Sequence, residues 1–346
     1  MNAPDARSAT ALPSRRLGRS GLTVSALGFG CAPLGDLYAR VDEQQARATI
    51  GAALAAGIIL FDVAPLYGHG LAEQRLGAVL RERPRDSFVL STKVGRWMNP
   101  RASRGDGSGY MGGLPHQAIV DYSYDGTMRA YEQSLLRLGL DRIDVLLIHD
   151  VDVHTHGADV VDRRFAEAMD GAYRALARLR DAGEIRAIGV GVNESQMCAR
   201  FARAGDFDCM LLAGRYTLLE QGALDDFLPL AQQKEIGLML GGVFNSGILA
   251  TGAVRGAKFD YRDAPEPILE RVRAIEAVCA RHRVPLAVAA LRFPFGHPAV
   301  ASVVLGAVTP DEITRNASSL GTPVPAELWR DLVASGLLRE DAPLPP

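Results

Sequence analysis

The chain has 346 residues, of which 48% are apolar and 23% charged, a composition that excludes wholesale disorder. Lys and Arg number 38 against 40 Asp and Glu, a net charge of −2. That balance argues against a broad nucleic-acid surface or a polybasic membrane anchor.

Residues 1–14 read as a flexible tail. Eight short apolar runs then recur, at 25–30, 58–63, 88–92, 143–149, 185–191, 209–213, 237–241 and 301–306. Continuous Leu-rich and β-branched runs of this length suit strands buried on both faces of a parallel sheet. Helical patterns fall between them. Asp42 offers an N-cap with Gln45 three residues on, and Ile50, Ala53 and Leu54 then share one face. Tyr131, Leu135 and Leu138 repeat the pattern in a helix starting near Asp125. Ala172, Leu176 and Leu179 mark the next, which Gly183 closes. Further helices are predicted over 195–204, 224–233, 267–283 and 310–320. Two stretches break the rhythm: 96–122, which is Gly-rich, and 150–170. Both read as long loops after strands. The Pro-rich end, 341–346, reads as frayed.

Eight strand–helix units point to an α/β fold, a closed (β/α)8 TIM barrel in one domain over 15–325, with 326–346 as a C-terminal extension. An open doubly wound sheet is the alternative. It would carry a GxGxxG turn after its first strand, and Gly28, Gly30 and Pro33 break that pattern. No apolar run is long enough to predict a membrane span, and 1–16 lacks the apolar core of a secretory signal. Cys31, Cys198, Cys209 and Cys279 form no CxxC pair and read as reduced thiols of a cytoplasmic protein.

In a barrel of this kind chemistry gathers at the carboxyl ends of the strands. Asp62 and Tyr67 lie at the end of the second run, Lys93 at the end of the third and His149 at the end of the fourth. A lysine there needs a carboxylate, and Asp62 is the candidate. A cation beside a tyrosine favours the phenolate, so Tyr67 suits proton transfer at a carbonyl or alcohol oxygen.

These four residues, with the opening stretch from Arg16 to Gly30, make the chain similar to the aldo-keto reductases over about residues 15–320. The resemblance implies an N-terminal β-hairpin ahead of the barrel, and NAD or NADP extended across its mouth. It implies Tyr67 as acid or base, Lys93 and Asp62 as the pair that tunes it, and His149 as the group orienting the substrate oxygen. Segments around Asp121–Gly126, Leu138–Asp144, His149–Asp152, Ile188–Glu194 and Asn245–Leu249 resemble the branch that acts on L-fucose, L-galactose and related D-threo-aldoses. That branch oxidises the anomeric hydroxyl to a lactone, with an alkaline optimum expected for a tyrosine base. Pyridoxal 4-dehydrogenases share the pattern, and a general aldehyde or ketone reductase of the family is a further alternative.

The same resemblance assigns Asn193 and Gly191 to the nicotinamide end, although the family's serine beside that asparagine is absent. Tyr216 and Arg215 follow the sixth run, Tyr216 toward cofactor and Arg215 toward substrate. Asn245, Ser246, Gly247 and Leu249 resemble a pyrophosphate clamp. Gly306, Glu312 and Asn316 fall at the adenosine end, where Glu312 would repel a 2′-phosphate and so favours NAD over NADP. Trp97 offers either a wall for a sugar ring or a loop anchor packed on the barrel rim, and His154 another substrate contact. His154 and His156 form an HxH beside Asp150 and Asp152, but a metal-dependent barrel hydrolase needs later histidines at strand ends, so no metal is expected. A nucleotide-sensing module is the non-enzymatic alternative. The expected partner is a small sugar, with neither nucleic acid nor membrane, and the chain is expected to be a monomer or a small homo-oligomer.

Overall fold

The computed structural model describes residues 12–103, 109–260 and 262–346. Eight parallel strands close into a barrel in sequence order: β1 (Leu27–Gly30), β2 (Leu60–Asp62), β3 (Val89–Val94), β4 (Val145–His149), β5 (Ala187–Val192), β6 (Cys209–Ala213), β7 (Gly237–Gly241) and β8 (Val300–Gly306). All eight apolar runs thus became strands, β8 closing on β1 through Val303 opposite Leu27. No helix among the described residues is long and apolar enough to cross a membrane.

Strand alternation splits the apolar residues into two cores. Leu60, Val89, Val145, Leu147, Ala187 and Met239 fill the barrel interior. Phe61, Leu90, Leu146, Ile148 and Ile188 face the surrounding helices. An antiparallel hairpin, Ser14–Arg16 with Thr23–Ser25, precedes β1. Its Leu17, Leu22 and Val24 join the interior cluster and plug the amino end. The expected N-terminal tail lies largely outside the described residues, and its last residue, Ser14, already belongs to this hairpin.

The first outer helix, Glu43–Ala55, is capped by Asp42, whose side chain accepts from the Gln45 N–H at 2.8 Å. The Gln45 side chain does not return to the cap. It donates to the Val308 carbonyl at 2.8 Å, tying this helix to the end of β8. The helix expected near Asp125 begins at Tyr124, capped by Ser123.

Three sequence expectations are corrected. The stretch 150–170 is mostly helical, with a short turn at Val153–His156 and a longer helix at Ala158–Glu167. That helix runs through a π-helical turn, Ala168–Tyr173, into Arg174–Asp181. Val161, Phe165 and Ala168 extend the apolar stripe of Ala172, Leu176 and Leu179 at spacings of four and three. Second, the stretch 96–122 contains a two-stranded ribbon, Arg96–Asn99 paired with Gln117–Val120. Third, the C-terminal end is packed, not frayed. Helix Ala326–Ala334 buries Leu328, Trp329 and Leu332, and Leu337, Leu338 and Ala342 follow them into the core. Arg339 pairs with Asp225 and Asp341 and fixes this end.

Candidate active site

Strand parity brings the four singled-out residues together. Asp62 continues the inward row of Leu60. Lys93 continues that of Val89 and Ser91, and His149 that of Val145 and Leu147. Thr92 points the other way and meets Glu73 of an outer helix at 2.9 Å. Lys93 Nζ donates to Asp62 Oδ2 at 2.7 Å and to the Val63 carbonyl at 2.9 Å. Ser91 Oγ donates to the other Asp62 oxygen at 2.9 Å. Both members of the ion pair are buried. Two of the three ammonium N–H groups are thus fixed, leaving one for the cavity that Lys93 lines. Gly191 on β5 lies beside the Lys93 stem, where even an added Cβ would stand at contact distance, 3.4 Å.

Tyr67 is half-buried and stands after β2, with Lys93 Nζ 5.0 Å from its ring centre. His149 meets the same ring edge-on, centres 6.0 Å apart. The loop carrying Tyr67 is held by two glycines in contact. A Cβ on Gly35 would meet Gly68 N at 2.5 Å, and one on Gly68, whose φ is 61°, would meet the Gly35 carbonyl at 2.5 Å. His149 is buried, and burial, aided by the cations of Arg96 and Lys93, drives its pKa well below the ordinary value. It is therefore neutral at working pH.

The sign of that shift makes a prediction. An unfolded histidine takes up its proton near pH 6.5, roughly. Folded His149 does so only well below that. The unfolded chain binds more protons as pH falls, so stability is full above that point and drops below it. Replacing His149 with Gln is expected to flatten the drop, read from urea midpoints at about pH 7.5 and about pH 5.5. Equal slopes in both proteins would show that His149 is not held neutral.

A cavity of about 710 Å³ opens over these groups, walled by Leu37, Tyr38, Leu66, Tyr110 and Leu211. Arg96 and Asp150, which the sequence reading did not select, line it as an ion pair at 2.9 Å. Burial pushes the Asp150 carboxyl up, with Arg96 pulling it back. Tyr122 Oη donates to the His149 carbonyl at 2.8 Å and lies 3.0 Å from His156 Nε2. The signal for Arg96 was its ribbon parity. It faces the cavity, and Trp97, the next residue, does not. Trp97 instead packs toward the outer helix, where Arg129 lies over its ring at 4.5 Å. It is a rim anchor and not a substrate wall.

A second, smaller cavity of about 60 Å³ adjoins the first, sharing His154, Asn193 and Ala213. His154 is exposed on this shared rim. Asp152 is fully buried, and although burial opposes its ionisation, hydrogen bonds from Asn193 and Thr155 hold its carboxyl below the usual range. Its Oδ2 accepts from the Asn193 amide nitrogen at 3.1 Å, which leaves the amide oxygen as the end available to a ligand. Arg215 crosses the small cavity from the Asn193 carbonyl, at 3.0 Å, to Asp260, at 2.8 Å. Asn245 and Ser246 line it too. Asn245 is a brace. It accepts from Thr217 at 2.6 Å and donates to the Gly214 carbonyl at 3.1 Å.

Other expected contacts fall elsewhere. Tyr216 is buried against Phe293 and His297, in a bend where Thr217 and Leu218 are buried beside it. Leu249 is fully buried. The N–H groups of Gly247 and Leu249 both donate to the Phe244 carbonyl, so this turn spends on itself the donors expected to hold phosphate. Gly306 ends β8 against Pro33. Glu312 closes a capping box with Thr309, accepting from the Val308 N–H at 2.7 Å, with Asn316 one turn on. Its carboxylate is thus held at a helix start. The thiol of Cys31 is fully buried and its pKa pushed up by that burial, which makes it inert.

Sequence comparison now bears on this arrangement. The Aldo/keto reductase family profile matches residues 26–335. A pyridoxal 4-dehydrogenase from Microbacterium luteolum is 45% identical over 94% of this chain and 97% of its own. A D-threo-aldose 1-dehydrogenase from Pseudomonas sp is 38% identical over 92% and 96%. Among solved structures, an aldo-keto reductase from Bacillus halodurans in its holo form superposes with a TM-score of 0.73 at 26% identity, covering 95% of this chain and 97% of its own. A barrel matched over this length, by the profile and by relatives of such identity, belongs to the aldo/keto reductase family of NAD(P)H-linked oxidoreductases.

Proposed function

We propose that the protein oxidises a cyclic hemiacetal to its lactone, with an aldose of the L-fucose, L-galactose or D-arabinose type as substrate. The observation that supports this is the buried Lys93–Asp62 pair beside the half-buried Tyr67 and the neutral His149, with Lys93, Tyr67 and His149 lining one cavity. When bound, the nicotinamide supplies the hydride acceptor. Tyr67 takes the proton of the anomeric hydroxyl, the hydrogen on that carbon leaves as hydride, and the carbon–oxygen bond becomes the lactone carbonyl. Lys93 stabilises the phenolate and Asp62 holds Lys93 in place. His149, uncharged, orients the substrate oxygen without competing for the proton.

The residues along the two cavities suit a nicotinamide nucleotide. Asn193 offers its amide oxygen to the carboxamide, and Ser246 and Arg215 face the pyrophosphate path. Asn245 and Gly247 shape that path, and Gly306, Glu312 and Asn316 follow β8 toward the adenosine. The fixed Glu312 carboxylate repels a 2′-phosphate, which favours NAD over NADP. The four buried, unpaired cysteines suit a reducing, cytoplasmic setting.

The 45% identity to a pyridoxal 4-dehydrogenase favours a second reading. Pyridoxal closes on its own hydroxymethyl group to a cyclic hemiacetal, so the same proton and hydride steps apply to it. Absorbance at 340 nm decides between them, with NAD or NADP and L-fucose, L-galactose, D-arabinose, D-glucose or pyridoxal at mildly alkaline pH. We expect NADH to form with the first three sugars. Turnover of pyridoxal alone would move the substrate to that compound. Nucleotide binding with no turnover of any of them would overturn both readings in favour of a sensor or a reductase of other carbonyls.

A further inference from the structure

We infer that Asp150, held by Arg96, recognises the hydroxyl on the carbon next to the reacting one, and so selects aldoses that carry it. The inference rests on the aldose reading above. Arg96 and Asp150 form a largely buried ion pair on the cavity wall, and such a pair is costly to desolvate. The Arg96 cation helps keep His149 neutral, but the proton and hydride steps give the Asp150 carboxylate no part of their own.

The backbone is bent to place it. Asp150 has φ of 55°, a left-handed conformation that costs a non-glycine residue. Two bonds hold it there: the Asp150 N–H donates to the Gly191 carbonyl at 2.9 Å, and Tyr122 grips the preceding carbonyl. The side chain keeps 17% of its surface exposed, enough for a ligand to reach. An ionised carboxylate accepts about four hydrogen bonds. Here Oδ2 accepts from Arg96 Nη1 and Oδ1 lies 3.3 Å from His149 Nε2, so acceptor capacity remains toward the cavity.

That capacity faces the same cavity as Tyr67 and His149. The reacting hydroxyl belongs between Tyr67 and His149. The Asp150 carboxylate stands 3.3 Å from His149 on the same cavity wall, and we assign to it the hydroxyl on the adjacent carbon. The leucines and tyrosines opposite suit the C–H face of the ring.

D-Arabinose and 2-deoxy-D-ribose differ only in that hydroxyl. The wild-type protein is expected to favour D-arabinose by at least about 100-fold in kcat/KM, as a site built to bond a hydroxyl rejects the analogue lacking it. Asp150→Asn keeps the left-handed backbone, which asparagine tolerates, and Asp150→Gly relieves it. Both are expected to shrink the preference below about 10-fold by lowering the D-arabinose value alone, with 2-deoxy-D-ribose changed by less than about 3-fold. Nucleotide binding, read by quenching of protein fluorescence, reports that each variant is folded. An unchanged preference would overturn the inference. So would an equal loss on both sugars, which would make Asp150 a support for His149. Wild-type protein that oxidises pyridoxal and neither sugar would overturn the aldose reading itself, a result visible before any variant is made.

Discussion

Tyr67→Phe protein is expected to fold and bind nucleotide as the wild type does, and to lose roughly 10³–10⁴ of kcat, the scale of a lost general acid or base. The change removes one oxygen from a half-buried ring, and the ring contacts to His149 and Lys93 are kept. Only the proton acceptor is gone. His149 is a poor replacement, because burial drives its pKa well below the ordinary value, and Cys31 is an inert buried thiol. The measurement is steady-state turnover beside a nucleotide titration. Near-wild-type kcat in a protein that binds nucleotide would remove Tyr67 from the chemistry.

Lys93→Met should cost both stability and rate. It strands Asp62 in the barrel with Ser91 as its remaining side-chain partner among the described residues. Breaking a buried pair from one side costs about 3–5 kcal/mol. The same change takes away the cation beside Tyr67, so turnover is expected to fall by about 10² or more. Adding Asp62→Asn separates the two effects. The double variant leaves no uncompensated charge and is expected to recover most of the urea stability without recovering turnover. A single variant as stable as the wild type would contradict the buried pairing. Recovery of turnover by the double variant would contradict the role given to the charge.

The barrel was legible because its strands are buried on both faces. Each reads as a largely apolar run, and all eight runs fall on strands. The four residues at the cavity floor were legible for a related reason: a charged or aromatic group at the end of such a run has one place to go. Where the fold depends on shorter periods, reading failed. Arg96 and Trp97 are neighbours in a ribbon strand of four residues, too short for its alternation to show which of the two faces the cavity. Tyr216 lies in an irregular bend after β6, where no period says which way a side chain goes. The helix Ala158–Glu167 was hidden by charge, since Val161 and Phe165 are its main apolar anchors and the stripe only becomes dense past Ala168. The turn around Gly247 illustrates a different limit. Its residue types suit a phosphate, but whether a backbone N–H is free depends on bonds that composition does not reveal.

The mouth of the cavity is made by two loops that are joined to each other. Leu37 and Tyr110 form an isolated β-bridge, and the Met111 N–H donates to the Asp36 carbonyl at 2.9 Å. Arg75 pins the first loop from beneath, through Asp36 and the carbonyls of Leu34 and Val41. Substrate range in this protein is therefore inherited as a pair. A loop after β3 grafted from a relative would arrive without its clasp, so new specificity is reached by point changes at Tyr38 or Tyr110, or by moving both loops together.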